Sequence, residues 1–190
     1  MTAAAAFSDL FARGRRFAGD RDGISAVEFA IMLPFMLTLY IGGAELGDGM
    51  SVQFKATLAA RTVADLTSQY ESIDAPTMGQ ILGAAQTVMT PYPANNMAVT
   101  VSEITTTNGN GSATVTWSCS LNGTPRVTGA AYILPTALRT LPANTSLLLG
   151  EVTYPYTPTM GYVITGTINM HESSFFFPRM STSVTDNSAC

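Results

Sequence analysis

Residues 24–43 restrict what this chain can become more than any other stretch. Ile24 to Gly43 is a run of 20 residues in which Glu28 is the one charged side chain. At about 1.5 Å of helical rise per residue, such a run is long enough to cross the hydrocarbon core of a bilayer. A carboxylate inside a membrane segment costs on the order of 2–3 kcal/mol, so it is rarely found there without a partner. Here it stands five residues into the run, after Gly23 and a leader carrying Arg13, Arg15, Arg16 and Arg21. Basic residues are sparse beyond Glu45: Lys55, Arg61, Arg126, Arg139 and Arg179. That asymmetry predicts a cytoplasmic N-terminus and an exported C-terminal part.

A second processing scheme competes with a membrane span. Phe29–Ile41 has the length of a secretory h-region, and Gly42-Gly43-Ala44 offers small residues for cleavage, which would leave Glu45 as the N-terminus. Against it, Glu28 interrupts the start of the h-region and the helical pattern does not stop at Ala44. Both schemes lead out of the cytoplasm.

Composition narrows the classes further. Charged residues make up 12% of the chain and the net charge is −4, which leaves no basic footprint for nucleic acid. His171 is the single histidine and Cys119 and Cys190 are the two cysteines, too few for a zinc site. No cofactor or metal is expected. Outside the cytoplasm, Cys119 and Cys190 have the conditions for a disulfide. Closing that loop stabilises a fold by roughly 4 kcal/mol and ties down the C-terminus. The alternative is a buried free thiol and a frayed terminal one.

Apolar residues at Val52, Ala56, Ala59, Val63, Leu66 and Tyr70 step by four and three, one stripe of a helix. The membrane segment is therefore expected to continue as an amphipathic helix to about Tyr70. Pro34 should kink or unwind it, and Arg61 and Asp65 should pair at i,i+4. Asp74 is a fair N-cap for a second helix over Met78 to Met89, ended by Pro91-Tyr92-Pro93. Val99 to Thr107, a turn at Asn108-Gly109-Asn110-Gly111 and a return strand predict a hairpin. Ala113, Val115, Trp117, Cys119 and Leu121 should share the buried face of the return strand. A strand over Leu147 to Tyr156 follows, with Pro155 marking an edge or its end. Phe175-Phe176-Phe177 suggests a last strand, and Ser181 to Cys190 a polar tail.

The stretch Gly23-Ile24-Ser25-Ala26-Val27-Glu28-Phe29-Ala30, with Pro34 beyond, resembles the type IV pilin-like signal. It is closer still to the TadE-like pseudopilins of tight-adherence (Flp/Tad) pili. The Trp117-x-Cys119 strand, Tyr154-Pro155-Tyr156-x-Pro158 and Phe177-Pro178-Arg179 are also similar to TadE-like proteins. The resemblance implies an α+β fold, with a long N-terminal membrane-spanning and stalk helix packed on a small antiparallel-sheet domain. It implies a leader at residues 1–23, a transmembrane helix at 24–43, an amphipathic continuation at 44–71 and an extracytoplasmic domain at 72–190. A prepilin peptidase would cut between Gly23 and Ile24, and Glu28 would become the fifth residue and set register in assembly. The implied partners are that peptidase, sister TadF-like or TadG-like pseudopilins, the major pilin and the inner-membrane pilus platform.

No catalytic constellation is present: the chain has no G-x-S-x-G, Walker loop, H-E-x-x-H or G-x-G-x-x-G. His171-Glu172 is a surface or structural pair, since adjacent residues diverge. Three functions stay open on the sequence: a minor pilin in the bacterial inner membrane or pilus, a membrane-anchored binding or sensor domain with an incidental Glu28, and a secreted soluble protein.

Overall fold

The computed structural model describes residues 21–108, 110–158, 160–162, 165–188 and 190. Most of the expected leader, with Arg13, Arg15 and Arg16, lies outside these residues. Helix α1 (Arg21–Thr67) is followed by β1 (Ser72–Asp74), α2 (Ala75–Val88), β2 (Ala98–Asn108) and β3 (Ser112–Leu121). Then come β4 (Ala131–Ile133), a 3-10 turn (Thr136–Leu138), β5 (Ser146–Tyr156), β6 (Ile168–Phe176) and β7 (Thr185–Asn187). The layout is α+β, a long N-terminal helix and then an antiparallel sheet.

Two compact units make up the chain: residues 1–46 with 159–165, and residues 47–158 with 166–190. In the first unit, α1 runs through Pro34 without the interruption expected there, and Thr38 Oγ1 donates to the Pro34 carbonyl at 2.8 Å. Proline removes one donor from the ladder. In an apolar surrounding the remaining backbone groups have no partner outside the helix, so the helix persists. Its side chains from Ile24 to Tyr40 are all exposed.

In the second unit, the rest of α1 buries Val52, Ala56, Ala59, Ala60, Val63 and Ala64 completely. Leu66 is only half-buried and Tyr70 lies exposed beyond the helix end. The five-stranded sheet has the order β4-β3-β2-β5-β6, with every neighbouring pair antiparallel. A second sheet pairs β1 with β7 in parallel. Asp74 caps α2 by accepting the Thr77 N–H at 3.0 Å, and hydrogen bonding from the Thr77 side chain and then from its backbone holds the carboxyl below its ordinary value. Met78, Ile81, Leu82 and Ala85 form the buried face of that helix.

The return strand departs from simple alternation. Glu103 pairs with Trp117 but Ile104 pairs with Val115, so Thr116 is an extra residue in β3. Trp117 and Cys119 consequently join the core beneath α1, while Ala113 and Val115 pack on the opposite face with Ile104, Leu147, Leu149 and Leu134. The expected single buried face of β3 is thus two half-faces. Strand β5 lies inside the sheet, yet β2 pairs with it only as far as Thr153, so Pro155 sits where β6 alone is its neighbour. Its missing N–H breaks no ladder on the β2 side.

The C-terminal segment is not a loose tail. Glu103, only 2% exposed, accepts the Val184 N–H at 2.8 Å and the Ser146 hydroxyl, and Trp117 Nε1 donates to the Val184 carbonyl at 2.7 Å. Arg179 takes the carboxylate of Asp65, and its backbone N–H donates to the Ser68 carbonyl. The expected Arg61–Asp65 pair is therefore replaced by a partner 114 residues away in sequence. Asp65 is half-buried and Arg61 is exposed, so the tertiary partner reaches the carboxylate better than the helical neighbour does.

Candidate functional site

The N-terminal end of α1 carries the chemistry that an apolar helix ordinarily avoids. Ile24 and Glu28 are one turn apart on the same face, as i,i+4 spacing requires. Both are exposed, and so are Val27, Phe29 and Ile31 around them. Among the described residues Glu28 has no hydrogen-bond or ion-pair partner. A carboxylate projecting from an apolar helix surface is a group that ordinarily calls for a polar or cationic partner.

The Gly23–Ile24 bond lies within α1.

Cys119 and Cys190 are joined as a disulfide, with Cα atoms 5.3 Å apart and 71 residues between them in sequence. They are remote from Glu28 in the chain and act on the second unit, where Cys119 lies in the core. Exchanging both for serine should destabilise that unit by about 4 kcal/mol, because the unfolded chain recovers the entropy of a long open loop. Thermal unfolding with and without reductant, compared with the double variant, measures this. Equal midpoints for oxidised and reduced protein would rule out a stabilising bridge.

On the sheet face away from α1, Arg126 binds Glu151 through Nε and Nη2, both at 2.7 Å, and its guanidinium lies 5.0 Å from the Tyr132 ring centre. Burial, and then the Glu151 charge, raises the Tyr132 phenol above its ordinary value of 10.0. The folded state thus favours the neutral phenol. Its contribution to stability is complete below the unfolded value, about pH 10, and is lost as pH rises through the higher folded one. The thermal midpoint should fall at alkaline pH, and Tyr132→Phe should lessen that fall.

His171 and Glu172 diverge: His171 Nδ1 meets Thr153 Oγ1 at 2.9 Å, while Glu172 accepts from Gln53 of α1. Tyr154 and Tyr156 are core residues, whereas Tyr162 is exposed. Among the described residues no group of three or more potential metal ligands is present. Two residues that carry structural chemistry had only faint signals in the sequence. Glu103 shares the strand parity of Val99 and Val101, so its carboxylate had to enter the core. Glu45, 4% exposed, accepts the Tyr162 N–H at 2.9 Å across 117 residues, a link no local pattern announces.

Residues 23–65 match the family model described as TadE-like protein. The chain carries a TadE-like segment. That segment begins at Gly23, spans Glu28 and ends two residues before the last residue of α1. The match associates the protein with Tad pilus systems, in which TadE-like proteins are structural rather than enzymatic. No curated protein and no solved structure matches the chain. The TadE-like segment is also the start of the one helix, among the described residues, that is long and apolar enough to cross a membrane. It supports anchoring of the protein at a membrane.

Proposed function

We propose that this protein is a minor pilin or pseudopilin that a prepilin peptidase cuts between Gly23 and Ile24, and that then takes part in the initiation or tip complex of a Tad pilus. The observation that carries this reading is the Glu28 carboxylate, exposed on the apolar part of the TadE-like helix and without a partner among the described residues. Cleavage creates an ammonium on Ile24, one turn from Glu28 of the same chain and within reach of Glu28 on a neighbouring subunit. Pairing the two offsets the desolvation of both charges among apolar helices, and a single such pair can set axial register. In this reading residues 24–43 cross the inner membrane with the N-terminus cytoplasmic, residues 44–71 extend the helix, and residues 72–190 form the periplasmic domain. Its partners are the peptidase, sister pseudopilins, the major pilin and the pilus platform, with a role in adhesion or surface sensing.

N-terminal sequencing of the mature protein from membrane and sheared-pilus fractions tests the reading. Ile24 as first residue is the expected result. Glu45 would mean an ordinary secretory signal, and an intact Met1 a plain membrane anchor; either sinks the proposal.

A further inference from the structure

The tip of the turn between β5 and β6, with Met160 and Tyr162, belongs to the same compact unit as the apolar part of α1, and it is held there by one bond. Tyr162 donates its backbone N–H to Glu45, whose side chain is almost wholly buried. Glu45 follows Gly43 by two residues, about 3 Å of helical rise. The bond therefore fixes the turn at the level where the membrane span gives way to water. On the turn the exposed side chains are apolar or amphipathic, Met160 at 64% and Tyr162 at 76% exposed, and the exposed Asp48 lies about one helical turn beyond Glu45. Between Glu151 and Glu172 the sequence holds no charged residue at all. A loop tip meeting water ordinarily exposes polar and charged groups, and large apolar side chains concentrated there mark a contact.

We infer that the β5–β6 turn is a second membrane contact, with Met160 and Tyr162 seated in the headgroup region of the outer leaflet of the inner membrane. The inference rests on reading residues 24–43 as the membrane span. A lipid surface is favoured as the occupant because this patch is continuous with that span within one unit, and because nothing charged stands on the turn for a protein partner to pair with. Tyrosine suits the boundary, its ring in the acyl region and its hydroxyl among headgroups. Glu45 is not itself exposed to lipid, since its carboxylate is occupied by the turn. Two contacts, one helix and one loop, would restrain the rotation of α1 about its own axis and so the direction in which the Glu28 face points.

The test uses the full chain in phosphatidylcholine vesicles, with Trp117 of the unaltered protein as baseline and Tyr162→Trp as the probe. Position 162 is exposed, so tryptophan there leaves the packing intact. On reconstitution the added emission should shift to shorter wavelength and be quenched by lipids brominated near the headgroup end of the acyl chain, more than by lipids brominated deep in it. Phe35→Trp, in the middle of the span, should show the opposite depth preference. Quenching of the Tyr162→Trp emission by aqueous iodide and not by brominated lipid would overturn the inference. A shift without lipid quenching would do the same, and would indicate a protein contact. Should Phe35→Trp also escape lipid quenching, the membrane-span reading falls together with the inference; lipid quenching of Phe35→Trp alone refutes only the loop contact.

Discussion

Replacing Glu28 with alanine should leave the protein anchored, processed and folded, yet remove it from sheared pili altogether. The direction of the energetics makes this a clean test. The carboxylate is a cost of on the order of 2–3 kcal/mol for a membrane segment, so alanine makes insertion more favourable. Residue 28 lies in a stretch, Ile24 to Tyr40, where every side chain is exposed. A loss of assembly therefore cannot be assigned to failed insertion or failed folding. It is attributable to the missing anion opposite an N-terminal ammonium. Glu28→Gln should fail as well, because an amide keeps the shape but not the charge. Immunoblots of membrane and sheared-filament fractions decide the matter. Undiminished recovery of Glu28→Ala in filaments would mean that the carboxylate is incidental and the protein a membrane-anchored domain of another kind.

Gly150→Val should be the most destabilising single change in the second unit, with a loss of more than about 4 kcal/mol, in the range seen only for severe core disruption. Gly150 lies on β5 directly under α1. A Cβ at this position would stand 2.3 Å from the Ala60 carbonyl oxygen and 3.1 Å from both the backbone nitrogen and the Cβ of Ala64. The obstructing atom is helix backbone and cannot swing aside as a long side chain would. The helix must lift from the sheet, which uncovers Ala56, Ala59, Ala60 and Val63 together with Leu148 and Val152. Gly150→Ala should cost less but still about 3 kcal/mol, the upper part of the usual range for overpacking. Gly79→Ala in α2 is the control. Nothing lies within 4 Å of its added Cβ, and a helix-interior glycine gains about 1 kcal/mol on becoming alanine. Urea unfolding of the detergent-solubilised chain, followed through Trp117 fluorescence, would separate the three. Equal midpoints for Gly150→Val and the parent protein would show that α1 is not seated on β5.

The small residues on α1 and the glycine beneath them are one device seen from two sides. In the sequence Ala56 and Ala59 mark an apolar stripe, and Ala60 and Ala64 stand beside it as good helix formers. Their second use, letting a helix approach a strand closely, becomes visible only when Gly150 is opposite them. Disulfide, Glu103 and Trp117 likewise form one device. Glu103 and Trp117 hold Val184 and the disulfide holds Cys190, so the segment after Ser181 is tied to the sheet at two points despite a composition that suggests a solvated tail.

What the sequence determined alone was whatever rests on short-range physics. The apolar run after Gly23, with Glu28 as its one charge, satisfies its own backbone in an apolar surrounding only as a helix. The position of Glu28 within it follows from the same string of letters. The stripe from Val52 to Val63, the Asp74 cap with its Thr77 donor and the Gly111 turn are local in the same sense, each decided within a few residues. Tertiary structure decided the rest, because the partners concerned are far apart in the chain. The bulge at Thr116 divides β3 between two cores, although its residues alternate perfectly in sequence. Asp65 leaves its helical neighbour Arg61 for Arg179, since the distant guanidinium reaches it where the exposed neighbour does not. Glu45 and Tyr162 meet across 117 residues, and that one bond brings the tip of the β5–β6 turn to the end of the apolar run of α1. Periodicity tells which way a side chain faces within its own element; only the packed chain supplies what it faces.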